Sequence, residues 1–178
     1  MKLQEKYGKK IGMKKIKLLD GSIIETNEKC KGCFLLKNKI CDYLTPIYET
    51  EEIIVNQDME YPIPAFYIIS TKTHIASIYD MNESTRKQVS DTIYLIRVAL
   101  KKCLGIERVT IIHEEKDNLS HFHIWMLPIW EENKEKIDPR IIKNNIEYYM
   151  RHFDFEENKE KIIECNDKMK AFLDLYTY

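Results

Sequence analysis

Hydrophobic residues alternate with polar ones in the first part of the chain and recur at helical spacing in three later stretches. Lys14 to Leu19 and Ser22 to Thr26 are β-prone runs joined by Asp20-Gly21, a pair favoured in type I′ turns, so they predict a hairpin. The polar stretch Asn27 to Lys31 follows, then Phe34 to Tyr43, which is mixed and short. Glu52 to Val55 and Phe66 to Ser70 read as strands, the second of them buried. Between them Asn56 to Ala65 contains Pro62 and Pro64 and reads as extended or turn-like chain. Val89, Ile93, Ile96, Leu100 and Cys103 form one stripe of an amphipathic helix over Ser84 to Leu104. Asn82 or Ser84 can cap its start, and Gly105 sits where a C-terminal cap glycine belongs. Val109 to His113 reads as a strand, and His121 to Trp130 as another, interrupted at Pro128. After Trp130 the composition shifts. Glu131 to Lys136 is solvated, and Asp138-Pro139 opens a helix in which Ile142, Ile146, Tyr149 and Phe153 keep helical spacing. A last helix over about Lys159 to Leu175 carries Ile162, Cys165, Met169 and Phe172 on one face. There is no internal repeat. The pattern predicts an α+β core to about residue 130, preceded by a hairpin extension over residues 1–27 and followed by a helical C-terminal extension over residues 131–178.

Composition narrows the function classes. The 178 residues fit one domain, or one domain plus a small extension, and 44% hydrophobic content suffices for a packed core. Lys plus Arg is 28 against 29 Asp plus Glu, a net charge of −1 that speaks against broad nonspecific binding to nucleic acid. No apolar run approaches the roughly 18–20 residues that span a bilayer, so no membrane partner is expected. The basic N-terminus lacks the apolar segment of a secretory signal, and the expected location is cytoplasmic. Its lysines, among them Lys6, Lys9, Lys10, Lys14 and Lys15, read as a solvated face, with phosphate attraction the minority reading. The five cysteines, odd in number in a chain without an export signal, argue against a disulfide framework.

Candidate chemistry gathers in two places. On a strand, residues two apart share a face, so His121, His123 and Trp125 point one way while Phe122, Ile124 and Met126 turn to the core. Such a pair of imidazoles is either functional or a hydrogen-bonded structural pair. Cys30-Lys31-Gly32-Cys33 has zinc-knuckle spacing, with Gly32 expected to let the loop turn tightly enough for both thiolates to face one ion. Two thiolates are half of a tetrahedral site. The candidates for the rest are His74 and one of His121 and His123, and Cys41 can replace one of them. The competing reading is a redox dithiol, disfavoured because no thioredoxin-like helix is expected after the pair.

The run His121-Phe122-His123-Ile124-Trp125-Met126-Leu127-Pro128 resembles the histidine-triad (HIT) motif, His-φ-His-φ-His-φ-φ with φ apolar. Upstream, DMEYPIPAFYIISTKTH from Asp58 to His74 is similar to the family segment with an acidic residue, prolines, an apolar strand and a histidine turn. The long helix and the two later strands follow in the family's order. The resemblance spans residues 28–130 and implies an antiparallel sheet of about five strands with a long packed helix, often in a two-fold homodimer. It implies that His123 is the nucleophile, attacking the α-phosphorus of a nucleotide to form a covalent nucleotidyl-imidazole. In zinc-bearing branches related to galactose-1-phosphate uridylyltransferases, the first histidine joins a C-x-x-C pair and an upstream histidine. Cys30, Cys33, His74 and His121 would then hold a closed structural Zn²⁺. Asp58 matches the ribose ligand, and His113 and Asn118 stand near the positions of substrate contacts.

The third motif histidine is Trp125, whose indole N–H donates a hydrogen bond but shuttles no proton. The family's Gly-His before the apolar strand is Ala65-Phe66 here. The resemblance therefore implies a nucleotide hydrolase or nucleotidyl transferase acting on dinucleoside polyphosphates, phosphoramidates or nucleotidyl adducts. The competing classes are a non-catalytic nucleotide-binding module, with Trp125 filling the space of the missing acid, and a zinc-stabilised interaction protein.

Overall fold

The computed structural model describes residues 13–38, 40, 45–117, 119–131 and 153–176. A two-stranded hairpin comes first, β1 (Lys14–Lys17) against β2 (Ile23–Thr26). Its turn is not type I′, which needs a positive φ at both central residues. Only Gly21 is left-handed, at φ 82°. The Gly21 N–H donates to Leu18 O at 2.9 Å and the Leu18 N–H to Ser22 O at 2.8 Å, the three-residue loop with a bulged glycine. The extra residue lets Leu19 turn inward, where its N–H donates to Met59 O at 2.8 Å and its side chain is buried with Leu18 and Ile16.

Helix α1 (Lys31–Lys37) follows at once, where the sequence pattern shows only a polar stretch and a mixed one. Seven residues are too few for an amphipathic repeat, and the N-cap is an unusual one, Cys30, whose Sγ accepts from the Cys33 N–H at 3.3 Å. The C-x-x-C pair thus stands at a helix N-terminus, against the expectation that no thioredoxin-like helix follows it.

The main sheet has the order β3-β4-β5-β7-β6, antiparallel throughout. Its strands are β3 (Tyr48–Glu49), β4 (Ile53–Gln57), β5 (Tyr67–Thr71), β6 (Arg108–Ile112) and β7 (His123–Ile129). Strand β7 runs straight through Pro128, which the sequence reading makes an interruption. Pairing with β5 ends at Met126, so the missing proline N–H costs no bond on that side. Between β5 and β6 lies α2 (Glu83–Leu104). Asn82 caps it by accepting from the Thr85 N–H at 2.8 Å, and Gly105 closes it at φ 67°. The last described helix is α3 (Phe155–Asp174), capped by Asp154. The helix expected over Ile142 to Phe153 lies outside the described residues except for Phe153.

Alternation along the strands gives the sheet two unlike faces. Ile53, Val55, Tyr67, Ile69, Ile124 and Met126 point to one face and pack in a single apolar cluster with Val89, Ile96 and Leu100 of α2 and with Cys165, Met169 and Leu173 of α3. Phe122 joins it. A second cluster ties the hairpin to α3: Ile16, Leu18 and Leu19 pack with Ile162, with Phe34 and Leu35 of α1 against them. No helix among the described residues is long and apolar enough to cross a membrane.

Candidate functional site

The second face of the sheet carries the chemistry. Register sets its rows: Ser70 of β5 pairs with His123 on one side and Ile54 on the other, and Ile68 pairs with Trp125 and Asn56. Over this face α1 and β1 leave a cavity of about 560 Å³, lined among others by Asp58, Ser70, His121, His123 and Trp125. Lys14, Lys29, Lys31 and Lys116 also line it.

At one end stand the two thiols. Cys30, Cys33, His74 and His121 each offer one ligand atom, all within 4.8 Å of one another. The Cys33 Sγ lies 3.3 Å from His74 Nδ1 and 3.4 Å from His121 Nδ1, and the Cys30 Sγ lies 3.6 Å from His121 Nδ1. A tetrahedral zinc with bonds of about 2.3 Å to sulfur and 2.05 Å to nitrogen sets those atoms about 3.6 Å apart, so the donor set fits. The His121 tautomer fits as well. Its Nε2–H donates to Thr71 O at 2.7 Å, which leaves the Nδ1 lone pair toward the thiols. Burial, then the neighbouring His74 and His123, hold the His121 pKa low and keep the ring neutral. Burial and the proximity of Cys30 push the Cys33 thiol up to about 11. A bound cation would release that proton, so metal affinity of this cluster falls with acidity.

Gly32 serves the cluster differently from its sequence-based expectation. Its φ is not positive; among the described glycines only Gly21 and Gly105 have a positive φ. A Cβ at position 32 would instead meet His121 Cβ at 2.5 Å and Cγ at 2.8 Å. The glycine allows close approach of α1 to the histidine, not a tight turn. Convergence of two imidazoles on both sulfurs, rather than the lack of a following helix, is what distinguishes the pair from a redox dithiol.

His123 opens β7. Its Nδ1–H donates to His121 O at 2.8 Å, which fixes the tautomer and leaves the lone pair on Nε2. Burial is the largest cause of a lowered His123 pKa, with His113 and Lys116 adding to it, so the ring is neutral near pH 7. Trp125 is its neighbour on the same face, with ring centroids 5.3 Å apart. The Trp125 indole N–H is buried without a hydrogen-bond partner among the described residues.

Asp58 is 3% exposed, just beyond the end of β4. Its Oδ1 accepts from the N–H groups of Glu60 and Tyr61 at 2.9 and 3.0 Å, yet burial outweighs these bonds and raises the pKa to about 7. The neighbouring Ala65 is left-handed, φ 61°, without being glycine. His113 does not line the cavity. Its ring lies against Phe122, with Nδ1 donating to His123 O at 2.9 Å and Nε2 3.3 Å from a Glu115 carboxylate oxygen. Asn118 and Cys41 lie outside the described residues.

Sequence reasoning missed Thr71, Asn56 and three of the cavity lysines, Lys29, Lys31 and Lys116. Asn56 was within reach, since period two carried from Ile54 to Asp58 puts all three on one face. Those three lysines carried no such signal, and Lys14, which reads as solvated with phosphate attraction as the minority reading, lines the cavity.

No family model matches the sequence, and no curated protein matches it. Solved structures do match the fold. A HIT-like protein of Bartonella henselae involved in cell-cycle regulation superposes with a TM-score of 0.55 at 17% identity, covering 80% of this chain and 95% of the other. A zinc-bound histidine triad family protein of Mycobacterium smegmatis gives 0.52 at 17% identity, covering 80% and 96%. A hypothetical histidine triad nucleotide-binding protein of Sulfolobus tokodaii gives 0.50 at 18%, covering 79% and 94%. The chain has the α+β fold of the HIT-like proteins.

Proposed function

We propose that the protein binds a nucleotide in the cavity beneath α1 and acts at its α-phosphorus, as a histidine-triad-type hydrolase or nucleotidyl transferase. The observation that carries this reading is the state of His123: a neutral ring in the cavity wall, its Nδ1–H held by a carbonyl, its Nε2 lone pair unspent. Attack by Nε2 forms a P–N bond, and the leaving group departs with the electron pair of the bond it loses. Water or a second acceptor then resolves the nucleotidyl-imidazole. Asp58 takes the ribose hydroxyls, and Trp125 forms the wall beside the phosphate. Cys30, Cys33, His74 and His121 hold one Zn²⁺. With four protein ligands a zinc site is closed, so the ion would supply rigidity and no Lewis acid. The fold neighbours support both halves of the reading, since one is zinc-bound and another is described as nucleotide-binding.

Intact-mass spectrometry after incubation with a nucleotide substrate tests it. A nucleotidyl adduct mapping to His123 is expected in the parent and none in His123→Ala, with about one zinc per chain in both. Nucleotide binding of equal affinity in the two proteins, with no turnover in either, would instead establish the binding module that Trp125 favours.

A further inference from the structure

What leaves the α-phosphorus is constrained by what surrounds His123. We propose that the cavity selects substrates whose leaving group departs as a stable anion, phosphoanhydride-linked nucleotides such as dinucleoside polyphosphates, and discriminates against nucleoside phosphoramidates. This rests on the covalent role of His123 given above.

The two bonds differ in their need for a proton. When Nε2 attacks an anhydride, the bridging P–O bond breaks and its electron pair stays on a phosphate oxygen. Phosphate monoanions have a pKa of about 6, so that oxygen needs no proton at pH 7. When Nε2 attacks a phosphoramidate, the P–N electron pair goes to an amine nitrogen, with a conjugate-acid pKa of about 10 for an alkylamine. That nitrogen leaves only if an acid protonates it, and such assistance is worth about 10²–10⁴-fold.

The described residues around His123 offer no such acid among their imidazoles or carboxyls. Trp125 occupies the next position on the same face of β7, 5.3 Å from the His123 ring, and an indole N–H donates a hydrogen bond but does not ionise near neutral pH, so it is no general acid. The His121 ring is spent on Thr71 O and the thiols, His74 faces Cys33, and the His113 ring is held outside the cavity by His123 O and Glu115. Asp58 is too far. Ser70 sets His123 level with Ile54 across two strand spacings, about 9–10 Å, and Asp58 lies four residues farther, about 13 Å along.

Ammonium groups from distant segments also line the cavity: Lys14 of β1, whose Nζ donates to Lys29 O at 2.6 Å, Lys31 of α1, paired with Glu60, and Lys116 of the β6–β7 connection, paired with Glu114 at 2.8 Å. Asp117 accepts from the Leu119 N–H and Ser120 Oγ–H within its own turn. A departing polyphosphate draws those ammonium groups from their present partners; a departing amine does not.

The test compares leaving groups on one nucleotide with the parent protein: diadenosine tetraphosphate, adenosine 5′-phosphoramidate, and the p-nitrophenyl and phenyl esters of AMP. The expected kcat/KM for the anhydride exceeds that for the phosphoramidate by about 10³-fold, and the nitrophenyl ester outpaces the phenyl ester by about 10²-fold. In Trp125→His the ratio of phosphoramidate to anhydride turnover rises by at least about 10-fold. Equal turnover of phosphoramidate and anhydride by the parent, with the adduct on His123, overturns the selectivity alone. No turnover and no adduct with any of the four overturns the covalent reading, and the selectivity with it. The parent series decides the question even where the substitution disturbs folding.

Discussion

The two faces of the sheet are closed by different means. One is sealed by α2 and α3 over Ile69, Ile124, Met126 and their neighbours, an apolar contact with no direction to it. The other is roofed by α1 and the hairpin, and at its histidine end the roof meets the sheet through thiols and imidazoles at 3.3–3.6 Å. Alternate residues of the same strands serve both: Ile124 and Met126 face the core, His123 and Trp125 the cavity. Stability can therefore be concentrated on one face while the other carries groups that packing alone would reject.

The largest expected effect tests whether the roof depends on metal. Cys33→Ser should lose the zinc and more than about 5 kcal/mol of the metal-bound protein's stability, since structural zinc contributes about 10–16 kcal/mol in small zinc peptides. Hydrogen exchange should show α1 and the hairpin losing protection while α2 keeps its own; uniform loss would mean the faces are not independent. Met126→Ala tests the converse. It should cost about 2–5 kcal/mol in chemical denaturation while zinc content and nucleotide affinity stay unchanged. A fall in zinc content would break the comparison.

The smallest effect concerns Asp58. Its folded-state pKa, about 7, lies above the ordinary value of 3.8, so the ionised carboxylate costs stability at alkaline pH, and that cost shrinks as pH falls from 7 toward 4. Asp58→Asn removes the titration. Its stability relative to the parent should be about 2 kcal/mol more favourable at pH 8 than at pH 5.5, and protonation of the histidines cancels in this difference. Nucleotide affinity should weaken at both. A pH-independent difference would mean that the buried carboxyl is not the titrating group.

Much of this was legible in the chain. The Val89–Cys103 stripe marks α2, and alternation from Phe122 to Met126 sorts β7 between the faces, because those signals are local and periodic. The Cys/His cluster was legible as a motif. Helix α1 was not, since a seven-residue helix carries no repeat and gains its stability from what it docks on. The Asp20-Gly21 turn misled because contacts made by Leu19 with Met59 override the local preference of the pair. The cavity lysines were hidden for the same reason, since their convergence exists only after the hairpin docks.

That docking gives the first described strand a weight its position does not advertise. Through the Leu19 N–H to Met59 O bond, β1 and β2 brace the stretch beside Asp58, and through Ile16 and Leu18 they shelter Ile162 near the other end of the chain. A version of the protein trimmed to start at Cys30 would retain all the histidines and both knuckle thiols. It would also have lost a side of its binding chamber and bared the grease beneath it, so shortening the chain to the motif-bearing stretch would leave the reactive groups without the vessel they work in.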